Sequence, residues 1–135
     1  MISRRIFALG LALTLAACTQ TGSPPGADWQ NKTWYLWSVD GVPTVPGAMR
    51  SAELRFDATN YRYGGFCNGV SGTYSYGPGT KLALGLGAAT MIGCPDPNED
   101  LYFAYMGKVN SLSVDGMELV LTTTDATELR FRAPI

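Results

Sequence analysis

Glu53-Leu54-Arg55-Phe56-Asp57-Ala58-Thr59-Asn60-Tyr61-Arg62-Tyr63 changes character at every residue, with a polar turn at its middle. Leu54 and Phe56 fall on one face and Arg55 and Asp57 on the other, and Tyr61 and Tyr63 resume the alternation after Ala58-Thr59-Asn60. A strict period of two is the pattern of a half-buried strand, because successive side chains of a strand point to opposite faces. The same signal spreads in both directions. Upstream, Trp34-Tyr35-Leu36-Trp37-Ser38-Val39 is rich in strand formers and is broken by the Gly/Pro-rich segment 41–47. Downstream, Gly64-Gly65 marks a bulge or tight bend, Val70 to Tyr76 is a further strand, and Gly77-Pro78-Gly79 closes it. Leu82, Leu84 and Leu86 alternate with Ala83 and Gly85. Leu112 and Val114 lead into an Asp115-Gly116 turn, followed by Glu118 to Thr122 and then by Leu129 and Phe131 set against Arg130 and Arg132. Asp-Gly between alternating runs predicts a hairpin.

One segment breaks the pattern. Asp96-Pro97-Asn98-Glu99 combines an acidic cap, proline at the first helical position and a glutamate placed as in a capping box. Tyr102, Met106 and Val109 follow at i, i+4 and i+7, so a helix over about 96–109 presents one apolar face. Seven or eight short strands and one packed helix predict an α+β domain. Its antiparallel sheet is expected to curl into a partial barrel, with the helix over the open side.

The N-terminus predicts an address. Arg4 and Arg5 precede an apolar run from Ile6 to Ala17, which ends in Leu15-Ala16-Ala17-Cys18. Twelve residues suit a signal-peptide core and fall short of the roughly 20 that span a bilayer. Small residues before a cysteine resemble bacterial lipoprotein signals, in which the peptide is cut before the cysteine and the thiol and new amine are acylated. Residues 1–17 therefore read as a lipoprotein signal peptide and 18–28 as lipid anchor and flexible tether, lipidation falling on Cys18. A cell-envelope protein follows, lipid-anchored on the periplasmic face, with the outer membrane expected because Thr19 is not aspartate. Ser3-Arg4-Arg5-Ile6-Phe7 leaves twin-arginine export open beside the general route. Removing Arg4 and Arg5 leaves eight basic residues against 11 acidic ones, a net charge of −3, which excludes a nucleic-acid binder of the usual basic kind.

With Cys18 assigned to lipid, Cys67 and Cys94 remain. An oxidising periplasm favours a disulfide between them; two buried free thiols are the alternative. The chain has no histidine. That removes the usual general base, the Ser/His and Cys/His nucleophile systems and most transition-metal sites, so neither a catalytic residue nor a metal or cofactor is expected. Asp96, Glu99 and Asp100 lack the spacing of a calcium loop, and capping with helix-dipole complementarity accounts for all three. Of the aromatics, most belong in the core. Tyr61, Tyr63 and Tyr74, with Asn68 nearby, are the residues a binding surface at a barrel mouth would use. Arg55, Arg62, Arg130 and Arg132 share outward faces, where they either meet an anionic lipid or glycan or are simply solvated.

The order Trp34-Tyr35-Leu36, Leu54-Arg55-Phe56, Phe66-Cys67-Asn68-Gly69-Val70-Ser71-Gly72-Thr73-Tyr74, Thr90-Met91-Ile92-Gly93-Cys94, the helix and the closing Leu119-Val120-Leu121 and Leu129-Arg130-Phe131 resembles the META/HslJ domain over residues 29–133. The motif residues are Cys67, Asn68, Gly69, Gly72, Thr90, Met91 and Cys94. Phe66 departs from the glycine usual before the Cys-Asn pair. The resemblance implies a bacterial envelope protein without an established reaction, some members being linked to heat shock or to resistance to hydrophobic antibiotics; a monomer is expected. The expected function is thus non-catalytic: binding an unidentified protein partner or supporting the envelope under stress. The alternative is a periplasmic module that binds a small apolar or glycan ligand, or that inhibits an enzyme.

Overall fold

The computed structural model describes residues 27–134; the leader 1–17, Cys18 and the tether up to residue 26 lie outside the described residues. The strands are β1 (Thr33–Val39), β2 (Val42–Pro43), β3 (Glu53–Phe56), β4 (Asn60–Gly64), β5 (Val70–Tyr76), β6 (Leu82–Leu84), β7 (Ala88–Ala89), β8 (Val109–Asp115), β9 (Glu118–Thr123) and β10 (Glu128–Arg132), with helix α1 (Pro97–Met106) before β8. The sheet runs β6-β5-β4-β3-β1-β10-β9-β8, with β2 on β1 and β7 on β5, and its pairings are antiparallel. Strand β1 sits between β3 and β10, so the first strand locks the last into the sheet.

The open side expected from the sequence is closed differently. The outermost strands β6 and β8 meet through a Lys81–Ser111 bridge. Beside it, Leu112 N–H donates to Thr80 O at 2.8 Å and the Tyr76 hydroxyl to Leu112 O at 2.9 Å. The sheet therefore nearly completes a barrel, the arrangement that leaves fewest strand edges unpaired. Two plugs fill its ends. Trp29 packs against Phe56, Tyr74 and Tyr76 at the end where β3 and β5 finish. Helix α1 covers the opposite end, where β3 and β8 begin.

The helix is shorter than expected. It stops at Met106, capped by Gly107 N–H on Phe103 O, and Val109 opens β8 instead of continuing the helix. Likewise Leu86 lies beyond β6 and is fully exposed. Gly65 shows why a glycine pair stands at the end of β4. Its φ is +102°, and a Cβ there would sit 1.9 Å from Ser51 O. Both the conformation and the contact exclude a side chain.

Tyr102 is fully buried among Tyr63, Phe66 and Phe131, with its hydroxyl donating to Glu53 O at 2.7 Å. Burial holds its phenol well above the ordinary value of 10.0, because a phenolate would lack solvation there. Tyr61, Tyr63, Tyr74 and Tyr76 are raised in the same direction, also by burial. In an unfolded chain these phenols ionise near pH 10, whereas the folded chain keeps them protonated. Stability is then fully present below pH 10 and is lost as pH rises toward the folded values. Thermal melts between pH 8 and 12 should fall above about pH 10. Tyr102→Phe should start lower by about 1 kcal/mol, for its lost hydrogen bond, and fall less steeply. Parallel curves for the two proteins would show that Tyr102 ionisation is not what limits the fold.

Candidate functional site

The Cys-Asn turn after β4 and the Thr90–Cys94 segment before α1 meet at the helix end of the barrel. Cys67 and Cys94 are joined in a disulfide, their Cα atoms 6.1 Å apart. Asn68 does most of the remaining joining. Its Oδ1 accepts from Ile92 N–H at 2.8 Å and from the Thr90 hydroxyl at 3.1 Å, while its Nδ2 donates to Ile92 O at 3.1 Å. Gly69 N–H donates to Thr90 Oγ1, and Thr90 N–H returns a bond to Gly69 O, both at 3.0 Å. A single side-chain amide thus imitates a strand partner for segment 90–92, which has almost no pairing of its own beyond the short β7.

The third member is Glu99, which the spacing assigned to helix capping. The structure corrects this. Asp96 caps α1 as expected, its carboxylate accepting from Asn98 N–H at 2.9 Å. Glu99 instead turns inward, 3% exposed. Its Oε1 accepts from Asn68 N–H at 2.6 Å and Cys67 N–H at 3.2 Å, and its Oε2 from Asn68 Nδ2 at 3.2 Å. No cation lies within ion-pair distance of it among the described residues. Backbone amides replace a counter-ion, as they do for bound anions at turns. A sequence signal for this existed. Glu99 precedes Tyr102 and Met106 by three and seven positions, so it lies on the buried face of the helix, where an acid requires partners.

The other motif residues have plain structural reasons. Gly72 lies opposite Tyr61, and a Cβ on it would come within 2.9 Å of the tyrosine ring. Phe66, in the place of a glycine, is half-buried and leans on Tyr102 with ring centroids 6.2 Å apart. Met91, by contrast, is 91% exposed and Ile92 58%. The junction holds these two apolar side chains out into solvent.

Of the tyrosines considered for binding, Tyr63 borders the cleft beside Asn68, whereas Tyr61 and Tyr74 do not line it. Tyr61 and Tyr63 stack at 5.8 Å inside the barrel and are only 3% and 8% exposed, with the Tyr61 hydroxyl on Gly85 O. Tyr74 packs on Trp29 and Phe56 and accepts from Gln30 Nε2. These rings fill the interior that a ligand cavity would need. The space beside Asn68 is on the outside instead. A cleft of about 650 Å³ runs between the Cys-Asn turn and the outer face of β3, β4 and β5, with Ile92 and Thr90 on its rim.

A helix-plugged antiparallel barrel, braced by the Cys67–Cys94 disulfide and a buried carboxylate beneath an open cleft, defines a small α+β domain. The chain belongs to the META domain family, whose model matches residues 27–134. Among solved structures it is similar to a protein from Burkholderia xenovorans determined by NMR, at 20% identity and a TM-score of 0.57, covering 78% of this chain and 83% of that one. A second NMR structure is similar at 19% identity and a TM-score of 0.59, covering 76% and 89%. At these identities the likeness is one of fold. No curated protein matches the chain.

Proposed function

We propose that this is a non-catalytic binding domain, held in the bacterial envelope by lipid on Cys18 at the periplasmic face of the outer membrane. In this reading it works as a monomer and engages a protein partner in support of envelope stress tolerance. The observation that carries the binding reading is the junction itself. Its polar groups are spent on one another among the described residues, yet it holds Met91 and Ile92 out in solvent, Ile92 at the rim of a cleft. Large apolar side chains held out by a braced loop suit a partner surface better than a reaction centre. The anchored reading draws support from the leader; a second groove, of about 1070 Å³, lies where the expected tether meets the domain. Asp28, where the tether joins the domain, lines that groove together with exposed Val114 and Met117.

Two measurements test the proposal. Palmitate labelling of the expressed chain should be lost in Cys18→Ser; unlabelled wild type would overturn the anchor. Affinity capture from envelope extract should yield a saturable partner that Met91→Ser/Ile92→Ser releases without change in melting temperature. Capture indifferent to those substitutions would remove the proposed surface.

A further inference from the structure

Cross-strand register places Thr33, Arg55, Arg62, Ser71 and Ala88 in one row, on neighbouring strands β1, β3, β4, β5 and β7. All five line the cleft beside the Cys-Asn turn. At the centre of the row Arg55 and Arg62 stand directly opposite each other, both exposed. Like charges in that relation destabilise a sheet, so something has to offset them. Several other cations find a partner within the barrel itself. Arg130 meets Asp115, Glu118 and Glu128, Arg132 meets Glu118, and Lys108 meets Asp125. Arg50 donates to Thr44 and stacks on Trp37. Arg55 and Arg62 have no ion pair and no hydrogen bond of this kind among the described residues. Asp57 is near enough to feel Arg55, but its carboxylate is taken up by Thr59 and Asn60 N–H in its own turn.

We propose that Arg55 and Arg62, flanked in register by the Thr33 and Ser71 hydroxyls, form a binding site for a phosphate-type oxyanion. The inference deepens the binding reading of this cleft and rests on it, but it does not depend on the lipid anchor. Adjacent strands are about 4.8 Å apart, which leaves two guanidinium forks on opposite residues within reach of one tetrahedral group. The Thr33 and Ser71 hydroxyls stand a strand further out on either side, about 14 Å from each other, so one of them at most reaches the same ligand. Glu53, two residues from Arg55 on the same face, also lines the cleft. It favours a ligand whose charge is concentrated at the arginine pair over one that is anionic along its length. The bound anion would supply the missing offset, so the unliganded pair is the less stable state.

The test is an NMR titration of the full chain in neutral detergent, reading arginine Nε–Hε signals with inorganic phosphate and, separately, with glycerol 3-phosphate. The expected result is a saturable shift of the Arg55 and Arg62 signals, weakened roughly tenfold in Arg55→Gln or Arg62→Gln and unchanged in Lys81→Gln. Without ligand, those two arginine variants should melt no lower than wild type, because each removes a like-charge repulsion. Tighter binding of the ester assigns the group to a lipid headgroup or other phosphate ester; tighter binding of the inorganic ion assigns free phosphate. Absence of a saturable shift with both, or saturation untouched by either arginine substitution, overturns the site. A chain that ignores both ions yet still takes a partner through Met91 and Ile92 overturns the anion site and spares the binding reading.

Discussion

Glu99→Ala is expected to cost about 3 kcal/mol of folding stability, the largest effect of any single polar substitution at the junction. The carboxylate accepts from two backbone amides of the Cys-Asn turn and from the Asn68 side chain. Each charge-assisted bond is worth roughly 1.5–3 kcal/mol when its partners are left buried and unmet. Cys67 and Asn68 are only half-buried, however, so water reaches part of what the mutation orphans, and the full sum is not expected. For a domain of this size 3 kcal/mol corresponds to a melting temperature lower by roughly 12 °C. Glu99→Gln retains one carbonyl acceptor but turns an amide toward Asn68 Nδ2, and should lose about half as much. Differential scanning calorimetry on both variants checks this. If Glu99→Ala melts within a degree or two of wild type, the carboxylate is not what seats the turn.

Breaking the disulfide should cost a similar amount by a different route. Cys67 and Cys94 close a loop of 27 residues, for which the chain-entropy model gives about 3–4 kcal/mol. Cys67→Ser/Cys94→Ser should therefore melt roughly 12–16 °C lower. The fold itself should survive, because Asn68 and Glu99 hold the same two segments without the bridge. Far-ultraviolet circular dichroism of the variant should match wild type at 20 °C. A melting temperature indifferent to reductant, with both thiols open to alkylation in the native protein, would contradict the bridge. An unfolded double variant would instead show that the polar contacts depend on it.

Particular residues show how far the sequence reaches. Leu54, Phe56, Tyr61 and Tyr63 alternate, and β3 and β4 pair with all four side chains inward, because a one-sided sheet leaves period two no other solution. Asp115-Gly116 marks the β8–β9 turn, where Gly116 adopts φ +60°. Tyr102 and Met106 are buried as their spacing requires. Closure of the barrel was not legible, since the Lys81–Ser111 seam joins residues 30 positions apart with no local pattern of their own. Nor were the two-residue strands β2 and β7, which exist only because longer neighbours offer them an edge. Glu99 was misassigned for a related reason: an aspartate three residues before a glutamate has a sufficient local explanation. Its true partners stand 31 and 32 residues away. In the candidate site, cysteine parity together with the expected periplasmic address favoured the Cys67–Cys94 bridge but left two free thiols as the alternative. The pairing of Arg55 with Arg62 needed register, which a list of outward-facing arginines does not contain.

The Cys-Asn motif and the helix form one structural unit beneath the cleft, with Asn68 and Glu99 acting jointly. The most direct measurement is a double-mutant cycle of Asn68→Ala and Glu99→Ala, read by urea unfolding of the oxidised protein. A coupling of at least about 1 kcal/mol is expected, the double variant losing clearly less than the two single losses combined. Strict additivity would mean that the two residues act independently, and that the motif is not the unit described.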